Sequence, residues 1–232
     1  MENIAYPLGW VIIFILSATI HEAAHAWAAK RGGDLTAYAG GQVSLDPLPH
    51  IRREPWGMVV IPLFSAFMIG WPFGYASTPF DPLWAYNNPR KVAWMALAGP
   101  AANLLMVIIS AVVIKLGILG GVFLEPNSVN LTRIVDPASA GMWTGVSIFI
   151  SMLFTLNLIL FILNLLPLPP LDGSNMVSLL LPEDSARKYR STIANPMFRL
   201  MGLLLVWWLI SPIIGWAFPS VMNVLYWGAN FQ

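Results

Sequence analysis

Two histidines and a glutamate interrupt a segment that is otherwise free of charge. Val11 to Ala29 reads VIIFILSATIHEAAHAWAA, and its ionisable residues are His21, Glu22 and His25. On a helix, residues four apart project from one face, one turn apart. His21 and His25 can therefore offer two imidazole nitrogens to one metal ion. Glu22 is turned about 100° from His21, so it reaches toward a metal-bound water rather than the metal. HExxH on a helix is a zinc-binding pattern of this kind. A catalytic zinc takes three protein ligands and keeps one position open. Asp172 is the best third ligand: it follows a helix stop at Pro167, Pro169 and Pro170 and precedes Gly173, which permits a turn. One zinc ion per chain, with Asp172 and Glu22 ionised and both histidines neutral, sums to zero charge. Apolar surroundings favour such a neutral set, because unpaired buried charge is expensive. Metal binding needs deprotonated ligands, so the site should loosen at low pH.

Composition explains why these residues stand out. The chain has 232 residues, 57% hydrophobic and 10% charged, whereas a soluble domain carries about 25% charged residues. That balance marks an integral membrane protein resident in a lipid bilayer. Ionisable groups inside a membrane span are costly and are read as functional. A net charge of +1 and the lack of a basic stripe with interleaved aromatics speak against nucleic-acid binding. There is no cysteine, so any metal must be held by histidine and carboxylate. The first ten residues lack Lys and Arg, and HExxH falls inside the first apolar run, which argues against a cleaved signal peptide. No internal repeat or low-complexity stretch is visible. The expected organisation is a single polytopic domain over 1–232, with a core at about 8–182 and a C-terminal helix at about 198–218.

The elements that must position the site are helices. A membrane helix needs about 20 apolar residues, and runs at roughly 8–29, 92–117, 144–166 and 198–218 qualify. A fifth run, 57–73, is shorter and contains Pro62, Gly70 and Pro72. Loop charge decides how to read it, because cytoplasmic loops carry the excess of Lys and Arg. If 57–73 crossed the membrane, the basic loop residues would split almost evenly. If it enters and returns, Lys30, Arg31, Arg52, Arg53, Arg90, Lys91, Arg187, Lys188, Arg190 and Arg199 share one side against Arg133 on the other. The fold class is therefore an all-α membrane protein of about four to five transmembrane helices, with 57–73 re-entrant or interfacial and the N-terminus outside. Non-helical backbone at that depth must line protein or a water-filled cavity. The first helix then runs inward and the third ends inward, so His21, His25 and Asp172 meet toward the cytoplasmic side. A short β-hairpin or strand is expected near 37–45, AYAGGQVSL. Its free edge could pair with an unwound substrate by strand addition.

With these residues in place, HEAAH on the first helix and NLLPLPPLDG (Asn164 to Gly173) together resemble the site-2 protease family of intramembrane zinc metalloproteases. AGPAAN (Ala98 to Asn103) resembles that family's G-P-x-x-N helix start, and VSLDPLPH (Val43 to His50) a loop of its compact prokaryotic members. The resemblance spans roughly residues 10–180. It implies zinc ligation by His21, His25 and Asp172, acid/base catalysis by Glu22, and a place for Asn164 near the substrate carbonyl. Three features depart from the family pattern. No PDZ or CBS module is visible. Arg52 stands where compact members tend to have an aspartate. Ser77, after Gly74, Tyr75 and Ala76, stands where they tend to have a basic residue.

The implied reaction is peptide hydrolysis in or near a transmembrane segment of a membrane-protein substrate, in a prokaryotic plasma membrane. Asn164 is a candidate oxyanion or substrate-backbone donor, or else an interhelical packing group. His50 and Asn103 are candidates for supporting roles. The same ligands could serve a membrane metal transporter or sensor, but spans 92–117 and 198–218 hold no carboxylate or histidine to extend a path. A catalytically inactive binding relative is a further alternative, against which the intact HExxH, Asp172 and Asn164 argue. The reading leaves room for a homo-oligomer or a regulatory membrane partner.

Overall fold

The computed structural model describes residues 2–227 and 231. The chain runs through α1 (Glu2–Gly32), α2 (Thr36–Ala39), α3 (Pro47–Arg53), a π-helical turn (Trp56–Val60), α4 (Ile61–Ile69), α5 (Pro82–Asn87) and α6 (Pro89–Leu119). It continues through β1 (Phe123–Leu124), β2 (Asp136–Pro137), α7 (Met142–Leu165), α8 (Asp172–Met176), a 3-10 turn (Val177–Leu180), α9 (Glu183–Ile193) and α10 (Pro196–Leu225). Four of these helices, α1, α6, α7 and α10, are long and apolar enough to cross a membrane, matching the four runs read from hydrophobicity.

They are not equivalent. In α7, 61% of the most apolar window is buried inside the protein, against 11% in α10. The helix α7 is thus the centre of the bundle, and α10 presents its apolar surface outward. Trp10, Ile13 and Phe14 of α1, Val107 and Ile114 of α6, and Met152, Phe154 and Leu156 of α7 form the shared core. On the far side of Lys115, the tip between α6 and α7 is closed by Phe123 packed edge-on against Trp143.

The segment 57–73 folds back. α4 ends at Gly70 in a left-handed conformation, φ +75, and the chain returns extended. Phe73 N donates to Ser65 Oγ at 2.8 Å, and Tyr75 N donates to the Gly57 carbonyl at 3.1 Å. The return stretch therefore retraces α4 to the level where it began, and its backbone lies against protein, as the charge count required.

Two local expectations need correction. Residues 37–45 form no strand. Asp34 Oδ1 accepts from Thr36 N at 2.9 Å and from Thr36 Oγ1 at 2.6 Å, which starts the helical turn α2. Gln42 N then donates back to the Ala37 carbonyl at 2.9 Å. Such short side-chain bonds to the local backbone compete with a ladder and win here. The antiparallel pair lies instead between Phe123–Leu124 and Asp136–Pro137. Ala98–Asn103 is also not a helix start: α6 begins at Pro89, where proline's fixed φ suits the first helical position, and runs on through Pro100.

Candidate metal centre

His21, Glu22 and His25 all lie on α1 and are all buried. His21 Nε2 and His25 Nε2 stand 2.9 Å apart. The Asp172 Oδ2 atom lies 3.0 Å from the first and 3.2 Å from the second. Asp172 is delivered by the turn after α7, where Leu171 N bonds back to the Leu168 carbonyl at 2.9 Å and Ser174 N to the Leu171 carbonyl at 3.1 Å. Gly173 lets this turn press against the end of α7, since a Cβ there would collide with the Leu165 and Leu166 carbonyls.

The other ring nitrogens show which side of each imidazole faces the metal. His25 Nδ1 lies 2.7 Å from the Met95 carbonyl, which can only accept, so His25 donates from Nδ1. His21 Nδ1 lies 2.6 Å from Asn103 Oδ1. The amide nitrogen of Asn103 is occupied in donating to Asn157 Oδ1 at 2.8 Å, which leaves its oxygen to accept from His21. Both imidazoles therefore carry a proton on Nδ1, which leaves Nε2 as the nitrogen that can offer a lone pair to a metal. Asp172 Oδ2 is buried with no hydrogen-bond donor.

Three lone pairs from three side chains thus converge with no donor among the described residues to separate them. A cation satisfies such a set, and two imidazoles with one carboxylate is a zinc donor set. Room for an ion is left by α6: a Cβ at Gly99 would strike the Nε2 atoms of both histidines. Pro100, next to it, removes one backbone N–H and loosens that turn, close to where the Met95 carbonyl accepts from His25. His21, Glu22 and His25 also offer ligand atoms within 4.8 Å of one another. Glu22, however, is engaged elsewhere, with Oε2 accepting from Thr78 Oγ1 at 2.7 Å. Asp172, close to both histidines and otherwise unpartnered, completes the ligand set better.

The cluster opens on a cavity of about 1160 Å³ whose lining includes Phe14, Thr78, Leu160, Asn164, Asp172 and Leu203. Asn164 reaches this cavity, with its amide nitrogen donating to the Leu160 carbonyl at 3.1 Å. Asn103 is fully buried behind His21 and orients it. His50 is not brought to the cluster: it is buried in α3 with Nε2 against the Ser44 carbonyl at 3.1 Å, where it holds its own loop. Sequence reasoning missed Gly99, Met95, Asn157 and Thr78. Gly99 lay within AGPAAN, read there as a helix start rather than the wall of the site, whereas Asn103 was a candidate for a supporting role. The Met95 contact is made by a backbone carbonyl, which leaves no trace in residue type.

Comparison with known proteins agrees with this geometry. The model of Peptidase family M50 matches residues 9–209. "Putative zinc metalloprotease YwhC" of Bacillus subtilis (strain 168) is 34% identical over 182 residues, covering 76% of this chain and 73% of the relative. "Putative zinc metalloprotease Rip2" of Mycolicibacterium smegmatis is 30% identical over 235 residues, covering 97% of this chain and 77% of the relative. The Rip2 of Mycobacterium tuberculosis (strain ATCC 25618 / H37Rv) is 29% identical over 234 residues, covering 98% and 76%. No solved structure matches. Two buried histidines on a membrane-length helix, an aspartate from the turn after α7 and a glutamate beside them are what a metallopeptidase of this kind needs, and the chain belongs to Peptidase family M50.

Proposed function

We propose that this chain is an intramembrane zinc endopeptidase that hydrolyses a peptide bond in or near a transmembrane segment of a membrane-protein substrate. One observation carries the reading: the His21, His25 and Asp172 lone pairs converge beside Glu22, at the wall of a cavity bounded by membrane-length helices. His21, His25 and Asp172 would hold the zinc. Bound there, zinc supplies Lewis acidity, acidifying a water and polarising the scissile carbonyl. Glu22 takes the proton from the attacking water on its carboxylate and passes it to the leaving amine. Asn164, at the cavity wall, offers an amide N–H to the substrate backbone or to the developing oxyanion. A substrate helix hides its carbonyls in its own hydrogen bonds, so cleavage requires local unwinding, for which the cavity provides space.

The whole chain acts as one unit in a prokaryotic plasma membrane, with the cluster toward the cytoplasm. The one-sided distribution of basic loop residues supports that orientation.

The test compares wild type with Glu22→Gln. Glu22→Gln is expected to keep one zinc per chain and lose turnover, so that membrane fragments present in wild-type cells vanish from the proteome. Retained proteolysis would remove Glu22 from the mechanism. Zinc retained after Asp172→Ala together with His25→Ala would remove the proposed ligand set.

A further inference from the structure

Glu22 is held from outside its own helix. We infer that Thr78 is a positioning residue for the Glu22 carboxylate, an inference that rests on the proposed role of Glu22 as the base. Thr78 Oγ1 lies 2.7 Å from Glu22 Oε2 and 3.0 Å from the Glu22 carbonyl. A hydroxyl has one proton, and a bond to an ionised carboxylate is the shorter and stronger of the two, so Thr78 donates to Oε2. Both side chains are buried, Thr78 at 9% exposed and Glu22 at 6%, so water does not compete freely for the bond.

A carboxylate that takes a proton from water must present one oxygen to that water and keep the other out of the way. Glu22 Oε1 makes no hydrogen bond among the described residues, and Glu22 lines the cavity. The bond from Thr78 occupies Oε2, fixes the carboxylate rotamer and leaves Oε1 to the cavity. It also keeps Oε2 from swinging toward the ion as a fourth protein ligand, which would close the position a catalytic zinc leaves open.

Thr78 is itself fixed on either side. Tyr75 N donates to the Gly57 carbonyl at 3.1 Å. Ser77 Oγ donates to Glu54 Oε1 at 2.5 Å, and Arg53 Nε donates to the Ser77 carbonyl at 3.1 Å. Beyond Thr78, Asp81 N donates to Asp34 Oδ2 at 2.9 Å. The return stretch after α4 is tied to α3 and to the end of α1, and it presents one hydroxyl to the base between those ties.

The test measures Thr78→Val, Thr78→Ala and Thr78→Ser in the full chain, with Glu22→Gln as control. The probe is a synthetic peptide spanning a cleavage site found by the wild-type against Glu22→Gln comparison. Zinc content and the affinity of a peptidyl hydroxamate, which chelates the metal and hydrogen-bonds the adjacent carboxylate, are read alongside. A hydrogen bond to a charged group is worth about 10- to 100-fold in an equilibrium or rate. Thr78→Val and Thr78→Ala should therefore lose about 10- to 100-fold in kcat, with KM within about twofold and zinc retained. Hydroxamate binding should weaken by about tenfold or more, and Thr78→Ser should restore both quantities. A kcat within about threefold of wild type in either variant that folds overturns the inference. So does a loss confined to KM, a loss of zinc, or a failure of serine to rescue. An active Glu22→Gln chain would instead overturn the role of Glu22, and the two failures are read from different variants.

Discussion

Asn103 Oδ1 lies 2.6 Å from His21 Nδ1, and the same amide donates through its nitrogen to Asn157 on the next helix. The tautomer that frees His21 Nε2 is therefore set by α6, not by the helix that carries His21. Partners of this type commonly contribute about 10- to 100-fold in metal affinity. Asn103→Leu should weaken zinc binding by that order, measured by competition with a chelator of known affinity. Asn157→Leu, one bond further away, should weaken it less. The opposite order would show that Asn103 does not act through His21.

Gly99 faces both Nε2 atoms, and a Cβ there would occupy their approach. Gly99→Ala changes one methyl group on a good helix former, so α6 should still fold and insert. Its purified chain should contain almost no zinc by elemental analysis. Full zinc occupancy would mean that the ion sits away from the two histidines.

Asp34 gives a pH dependence outside the membrane spans. Burial pushes its carboxyl up, but the Thr36 hydroxyl, the Thr36 N–H and the Asp81 N–H, all donating to it, hold it below the usual range. A depressed folded value means that the stabilisation is complete above the ordinary aspartate value of about 3.9 and is lost as pH falls through the folded value. Asp34→Ala should cost about 1–3 kcal/mol at neutral pH. The gap in unfolding temperature between wild type and Asp34→Ala, measured in detergent, should narrow as pH is lowered from 5 to 3. A gap that stays constant would show that the charge on Asp34 contributes nothing.

Orientation can be read with reporters. If 57–73 turns back within one side of the membrane, fusions after Trp84 and after Asn195 report the cytoplasm, and a fusion after Glu125 reports the exterior. An external Trp84 reporter would mean that 57–73 crosses.

How much of this was legible depended on the reach of each interaction. His21, Glu22 and His25 lie within one turn and a half, so spacing alone paired them. Asp172 was legible because prolines and a glycine punctuate the chain around it. The return of 57–73 was legible from charge, since Arg52, Arg53 and Lys91 had to share a side. The contacts that finish the site were not legible in this way. His21 to Asn103 and Glu22 to Thr78 join separate elements, and neither asparagine nor threonine announces its partner by type. The strand expected near 37–45 failed for a local reason: Asp34 captured the Thr36 backbone and hydroxyl before any edge could form.

Asn157 also donates to Ser17 Oγ at 2.9 Å, so Ser17, Asn157, Asn103 and His21 form one line of polar contacts through α1, α7 and α6. In lipid, where greasy helices slide and rotate past one another at little cost, this line acts as a key cut for a single setting. Inserting one residue into α7 before Asn157 would turn that side chain by about 100° and break the line at two helices at once. The membrane part of this enzyme is thus indexed by four small polar side chains, and the indexing ends at the metal.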